Sequence, residues 1–201
     1  MSGAAPQGRL IAVVGPSGVG KDSVMDALVA RHPALGHVRR AVTRSAEAGG
    51  ETIESLTPAA FEEARADGAF VLDWQAHGLS YGIPATECAP LAEGRDLLVN
   101  LSRGVLAEAS ARFPSLIVLS LTARTDVLAR RLAARGRESR AEIAERLSRW
   151  MPTDAGAAPV LTIDNSGDLD ATVASILAAL YPASSFGTGR LQPHRFETDP
   201  K

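Results

Sequence analysis

The chain has 201 residues, a formal net charge of −2 and an isoelectric point near 6.1, which suits one domain with tails and gives no reason to expect a nucleic-acid or membrane surface. Its single cysteine, Cys88, cannot form an intrachain disulfide, fits a reducing cytoplasm, and reads as a packing residue rather than a nucleophile. No apolar run approaches the roughly 18 residues a membrane-spanning helix needs, and Met1 to Gly8 lacks the layout of a signal peptide, so the sequence points to a soluble cytoplasmic protein.

After a flexible N-terminus over 1–8, the apolar run Leu10-Ile11-Ala12-Val13-Val14 predicts a strand. It leads into Gly15-Pro16-Ser17-Gly18-Val19-Gly20-Lys21-Asp22-Ser23, a glycine-rich turn that opens a helix. Such a loop lets successive backbone N–H groups converge on phosphate oxygens at a helix N-terminus, and Lys21 adds a full positive charge where β- and γ-phosphates lie. The pattern is G-x-x-x-x-G-K-[ST], with Asp22 in the hydroxyl position and Ser23 one place late. In the usual loop that hydroxyl ligates Mg²⁺, which makes Asp22 and Ser23 the candidates for the metal. The chain has only two lysines, Lys21 and Lys201, against nineteen arginines, and a compact, flexible ammonium suits a phosphate tail.

Val24, Leu28 and Val29 give the following helix its apolar face, and His32-Pro33 ends it. Val38 to Thr43 predicts a second strand carrying Arg39 and Arg40 and leading to Arg44. Guanidinium forks match phosphate geometry, so these arginines form a candidate clamp for an anionic acceptor. Ser45 to Gly50 is a loop. Thr57-Pro58 reads as an N-cap with proline at the first helical position, opening a short helix that Gly68 closes. Ala69 to Trp74 predicts a strand, with Trp74 in the core, and His77 to Gly82 a turn into a second short piece. Asp73 is a candidate for orienting an acceptor hydroxyl, and Tyr81 for donating to phosphate or sugar oxygens.

Strands over Asp96 to Leu101, Leu116 to Leu121 and Val160 to Ile163 then alternate with helices. The helices run from about Arg103 to Arg112, Thr125 to Arg135, about Ser139 to Met151, and about Asp170 to Leu180. This alternation predicts an α/β fold whose parallel sheet is covered by helices on both faces. One domain is predicted over 9–181. Segment 44–90 breaks the alternation and reads as an inserted substrate lobe, and 135–149 is arginine-rich. Phosphoryl transfer spreads negative charge over the moving group, so Arg135 and Arg137, then Arg146, are candidates to stabilise it. The 182–201 stretch reads as a mobile tail.

From about Arg9 to Leu180 these motifs resemble the guanylate-kinase-like family of P-loop phosphotransferases, and within it the branch that phosphorylates ribose 1,5-bisphosphate. Gly-Pro-Ser-Gly-x-Gly-Lys is common to both; Asp22-Ser23 and Val99-Asn100-Leu101-Ser102-Arg103 resemble the branch. Thr43-Arg44 and Tyr81-Gly82 are similar to the family's acceptor site. Asp73 falls where guanylate kinases carry a base-reading glutamate, while Glu47 and Ile83 depart from their nucleotide-binding arginine and serine. The resemblance implies a guanylate-kinase-like P-loop kinase domain over 9–181 with an acceptor-binding lobe over 44–90 and an arginine-rich lid over 135–149. It implies ATP and Mg²⁺, with residues 15–23 binding ATP and Lys21, Arg135 and Arg137 at the transferring group. It also implies that Arg39, Arg40, Arg44, Asp73 and Tyr81 bind a small-molecule acceptor, with 5-phosphoribosyl 1-diphosphate as the product in phosphonate degradation. The residues by themselves leave open a guanylate or other nucleoside-monophosphate kinase, and a non-catalytic binding module.

Overall fold

The computed structural model describes residues 7–44, 53–134 and 154–182. In chain order the elements are β1 (Leu10–Val14), α1 (Lys21–Arg31), β2 (Gly36–His37), β3 (Arg40–Val42), β4 (Ile53–Ser55), α2 (Pro58–Ala66), β5 (Phe70–Ala76) and β6 (Leu79–Pro84). A 3-10 helix (Ala85–Glu93) follows, then β7 (Leu97–Asn100), α3 (Leu106–Arg112), β8 (Leu116–Thr122), α4 (Thr125–Ala134), β9 (Val160–Asp164) and α5 (Leu169–Leu180).

Five consecutive apolar residues in β1 are all buried, which requires sheet neighbours on both edges and cover on both faces. The larger sheet supplies this in the order β2-β7-β1-β8-β9, every pair parallel. On one face Leu10, Ala12 and Val14 pack with Leu106 and Ala109 of α3 and Leu91 of the 3-10 helix. On the other, Ile11 and Val13 pack with Val24, Met25 and Leu28 of α1, Leu128 of α4 and Val173, Ile176 and Leu180 of α5. Each such fully buried aliphatic side chain contributes roughly 1.5–3 kcal/mol of transfer free energy. The alternation read from the sequence is therefore a parallel sheet covered on both faces.

A smaller sheet has the order β4-β3-β6-β5, with β3 parallel to β4 and antiparallel to β6. The strand expected over Val38 to Thr43 is shorter, β3 over Arg40–Val42 in the smaller sheet, and β2 precedes it in the larger one. Val38 still donates its N–H to the Leu98 carbonyl at 2.9 Å, but the Arg39 N–H turns to the Glu87 carboxylate at 3.0 Å, so the chain leaves the larger sheet there. Thr57 caps α2 as expected, its Oγ1 accepting from the Ala60 N–H at 3.2 Å with Pro58 in the first turn. His77 and Gly78 join β5 to β6 with φ of 53° and 74°, the left-handed pair of a tight hairpin turn. The expected helix from Ser139 to Met151 and the arginine-rich 135–149 stretch lie outside the described residues.

At the amino end of the larger sheet, Asp96 ties three parts of the chain together. Its carboxylate accepts from the Arg9 backbone N–H at 2.7 Å, from Arg9 Nε at 2.9 Å and from the Tyr181 hydroxyl at 2.7 Å. Burial pushes this carboxyl up, but the bonds from Arg9 and Tyr181 outweigh it and hold the group below its ordinary value of 3.8. A carboxyl depressed in the folded state stabilises the fold above its unfolded pKa, and that stability is lost as the pH falls through the folded value. Asp96→Asn is therefore expected to lower unfolding free energy at pH 7 by about 2 kcal/mol, with Arg9 a third exposed tempering the loss, and to flatten the acid limb below about pH 4. Urea unfolding at several pH values checks this; an acid limb identical to wild type would show that Asp96 carries none of it.

Candidate active site

The site is built where β1 ends and α1 begins. Gly15 cannot carry a side chain, because a Cβ there would stand 2.6 Å from the Leu121 carbonyl oxygen. Gly20 caps α1 with φ of 92° in the left-handed region, and no side chain bonds to the cap. The N–H groups of the first turn thus meet no capping side chain, which is the arrangement that receives an anion. Lys21 reaches back across this opening, its Nζ donating to the Gly15 carbonyl at 3.1 Å. Its ammonium is thereby held over the mouth of the loop.

Asp22 sits beside it in the same turn and accepts from Asn100 Nδ2 at 3.3 Å. Asn100 closes β7 and is buried. Ser23, the next residue along the helix, is exposed. Of the two candidates for the metal, Asp22 is thus the one engaged with the sheet edge.

The loop is also braced from below by residues that the sequence reading missed. Asn165 Nδ2 donates to the Val19 carbonyl at 2.8 Å, Arg131 to the same oxygen at 3.2 Å, and the Thr172 hydroxyl to Asn165 Oδ1 at 2.9 Å. Asn165 is 3% exposed, so its amide is spent on holding the loop rather than on solvent. The signal for it was slight: one Asn in the polar turn Asp164-Asn165-Ser166-Gly167-Asp168, whose last residue caps α5.

The smaller sheet turns a second set of residues together. The rings of Trp74 and Tyr81 stack at 5.3 Å and 8°, and the Arg40 guanidinium lies 5.1 Å from the Tyr81 ring and 5.9 Å from that of Trp74. Arg40 is 7% exposed, so its charge is held in a largely dehydrated place. Trp74 Nε1 donates to Ser102 Oγ at 2.9 Å, which ties this sheet to the segment after β7. Thr43 pins the end of β3 by accepting from the Ser80 N–H at 2.8 Å, and the Arg44 Nε that follows is buried with no hydrogen-bond partner among the described residues. A buried charged donor without an acceptor is costly unless a ligand supplies one.

The structure sets two of the expected acceptor residues apart from the others. Directly opposed residues of an antiparallel pair share a face, and Trp74 opposes Tyr81 while Asp73 opposes Gly82. Asp73 therefore lies on the other face from Tyr81, Trp74 and Arg40, and the residue beside Trp74 on their face is Leu72, 1% exposed. A carboxylate and a tyrosine that looked like one acceptor set are separated by strand alternation. Arg39 is likewise drawn off, since its Nε lies 3.6 Å from Glu87 and its side chain is half exposed. Arg135, Arg137 and Arg146 lie outside the described residues.

The pattern of the AAA domain family matches residues 11–148. The chain is 47% identical over 181 residues to ribose 1,5-bisphosphate phosphokinase PhnN of Brucella melitensis, spanning 88% of this chain and 93% of that protein. It is 49% identical over 178 residues to the protein of the same name from Pseudomonas paraeruginosa, spanning 86% of this chain and 95% of that one. Among solved structures it is similar to guanylate kinase from Anaplasma phagocytophilum, with a TM-score of 0.64, 16% identity and 87% of this chain and 85% of that chain covered. At that identity the likeness speaks for the fold alone.

Proposed function

The chain belongs to the ribose 1,5-bisphosphate phosphokinase family of P-loop enzymes, and from that premise we propose that it transfers the γ-phosphoryl group of ATP to the 1-phosphate of α-D-ribose 1,5-bisphosphate, giving 5-phosphoribosyl 1-diphosphate and ADP. A bond forms between an acceptor phosphate oxygen and the γ-phosphorus as the bond to the ADP oxygen breaks. No enzyme nucleophile is required, because the acceptor phosphate is already an anion; positioning and charge neutralisation carry the rate. A place in phosphonate breakdown, in the cytoplasm, completes the reading. Among the described residues no helix is long and apolar enough to cross a membrane.

In this reading residues 15–23 cradle the ATP phosphates and Lys21 turns from the Gly15 carbonyl to the β- and γ-oxygens. Oxygen donors suit Mg²⁺, and Asp22 supplies one at the edge of the loop, with Ser23 next to it. Among the described residues no three His, Cys, Asp or Glu side chains gather to hold a metal, so Asp22 or Ser23 would share it with the phosphates. Held by these residues, Mg²⁺ would supply neutralisation of the phosphate charge. Arg40 and Arg44 bind the acceptor phosphates beside Tyr81, and Arg135 and Arg137 close on the transferring group.

The observation that carries this reading is the makeup of the Tyr81 face: a buried arginine, two stacked rings and Leu72, with Arg44 Nε awaiting an acceptor. Phosphate and a sugar ring suit such a surface. The guanylate kinase alternative drew on Asp73 and Tyr81 together, which the register sets on opposite faces, and the choice of acceptor decides between the two readings. ADP release with ATP and Mg²⁺ is the test, comparing ribose 1,5-bisphosphate, GMP and no acceptor. Turnover is expected with the ribose bisphosphate only; turnover with GMP in its place would overturn the assignment.

A further inference from the structure

The metal side of the site carries an exchange between two positions. P-loop enzymes hold Mg²⁺ with the hydroxyl that follows the loop lysine and with an aspartate from outside the loop. Here a carboxylate, Asp22, follows Lys21, and β7, the strand hydrogen-bonded beside β1, ends in an amide, Asn100, paired in register with Val13. That register puts Asn100 at the carboxyl edge of the sheet, two residues short of the level at which the loop begins. Its Nδ2 donates to Asp22 Oδ1 at 3.3 Å from a side chain 9% exposed.

We propose that Asp22 and Asn100 are a compensated exchange: the metal's carboxylate has moved from the neighbouring strand to the first turn of α1, and Asn100 is the positioning residue that aims it. An aspartate at 100 would set two carboxylates within hydrogen-bond reach of each other, and like charges so close disfavour each other's ionised form. An amide has nearly the same shape and supplies a donor instead. A carboxylate in an exposed first turn samples several rotamers; a bond on Oδ1 from a residue locked in the sheet selects one and leaves Oδ2 as the ligand oxygen. Partners of this kind behind a metal ligand change metal affinity by about 10–100-fold when removed.

This inference rests on the ATP and Mg²⁺ reading above, and its test is a binding measurement without any acceptor, so an error over the acceptor leaves it untouched. ATP affinity is measured by calorimetry in Mg²⁺ and in EDTA, the ratio being the metal-dependent gain. Asn100→Ala is expected to cut that gain about 10-fold with the EDTA affinity unchanged, and to add nothing further in an Asp22→Asn background. Asp22→Thr is expected to lose the gain, and Asp22→Thr combined with Asn100→Asp to restore it, because hydroxyl on the helix and carboxylate on the strand remake the usual pair. The combined variant also fills the buried space, so it decides the matter if the alanine variant does not fold. A combined variant as weak as Asp22→Thr, or an alanine variant that loses affinity equally in Mg²⁺ and EDTA, would overturn the proposal.

Discussion

Lys21→Ala is expected to lower kcat by about 10²–10³-fold, roughly 3–4 kcal/mol of transition-state stabilisation, with a smaller change in the KM for ATP. The ammonium donates to the Gly15 carbonyl at 3.1 Å, so it already lies at the loop and exchanges that one bond for the phosphate oxygens when nucleotide binds. Charge grows on the phosphoryl oxygens as the bond to ADP loosens, which is why the loss falls mainly on kcat. Lys21→Arg should recover little, because the planar fork cannot occupy the point that a compact ammonium fills. The single internal lysine of the chain is then a choice of chemistry. Steady-state kinetics with thermal melting as a folding control checks this, and an unchanged kcat in a folded Lys21→Ala protein would remove the loop from catalysis.

The second large effect is expected at Arg44. Removing its guanidinium should raise the KM for the acceptor by about 10–100-fold while leaving that for ATP near wild type, since a hydrogen bond to a charged group contributes about 1.5–3 kcal/mol. The ground is the buried Nε that no group among the described residues satisfies. A structural arginine at this place would have a partner, as Arg9 has in Asp96 and Arg112 has in Glu108 and the Val71 carbonyl. Deleting a structural arginine would also lower stability; deleting this one should leave the melting temperature unchanged or raise it, because an unsatisfied buried donor is removed. A KM shift shared equally by ATP and acceptor would place Arg44 outside the acceptor's contacts.

Reading a phosphate site from sequence works where the chemistry is local. The strand, the loop and the helix start occupy consecutive residues, and the apolar run of β1 announces a strand buried on both faces. The cap at Thr57 was legible for the same reason, since it depends on residues within one turn of each other, whereas of the turn expected over His77 to Gly82 only His77-Gly78 is a turn and Leu79 to Gly82 belong to β6. Arg39 and Arg40 look equivalent in the sequence but are not in the fold. One backbone bond to Glu87, 48 residues away, moves the chain from one sheet to the other between them, leaving Arg39 half exposed and Arg40 buried under two rings.

By itself the sequence determined the glycine-rich loop and the parallel sheet, because propensity, periodicity and a contiguous motif carry these, while the family came from a resemblance of several motifs along the chain. Only the tertiary structure decided how the site is assembled. Asp22 meets Asn100 across 78 residues and Val19 meets Asn165 across 146, contacts made by strand order and helix packing that no short window contains. Likewise Asp73 and Tyr81 face apart because the β5–β6 register pairs Trp74 with Tyr81, and a shift of one residue would have put Asp73 rather than Trp74 on the face of Tyr81.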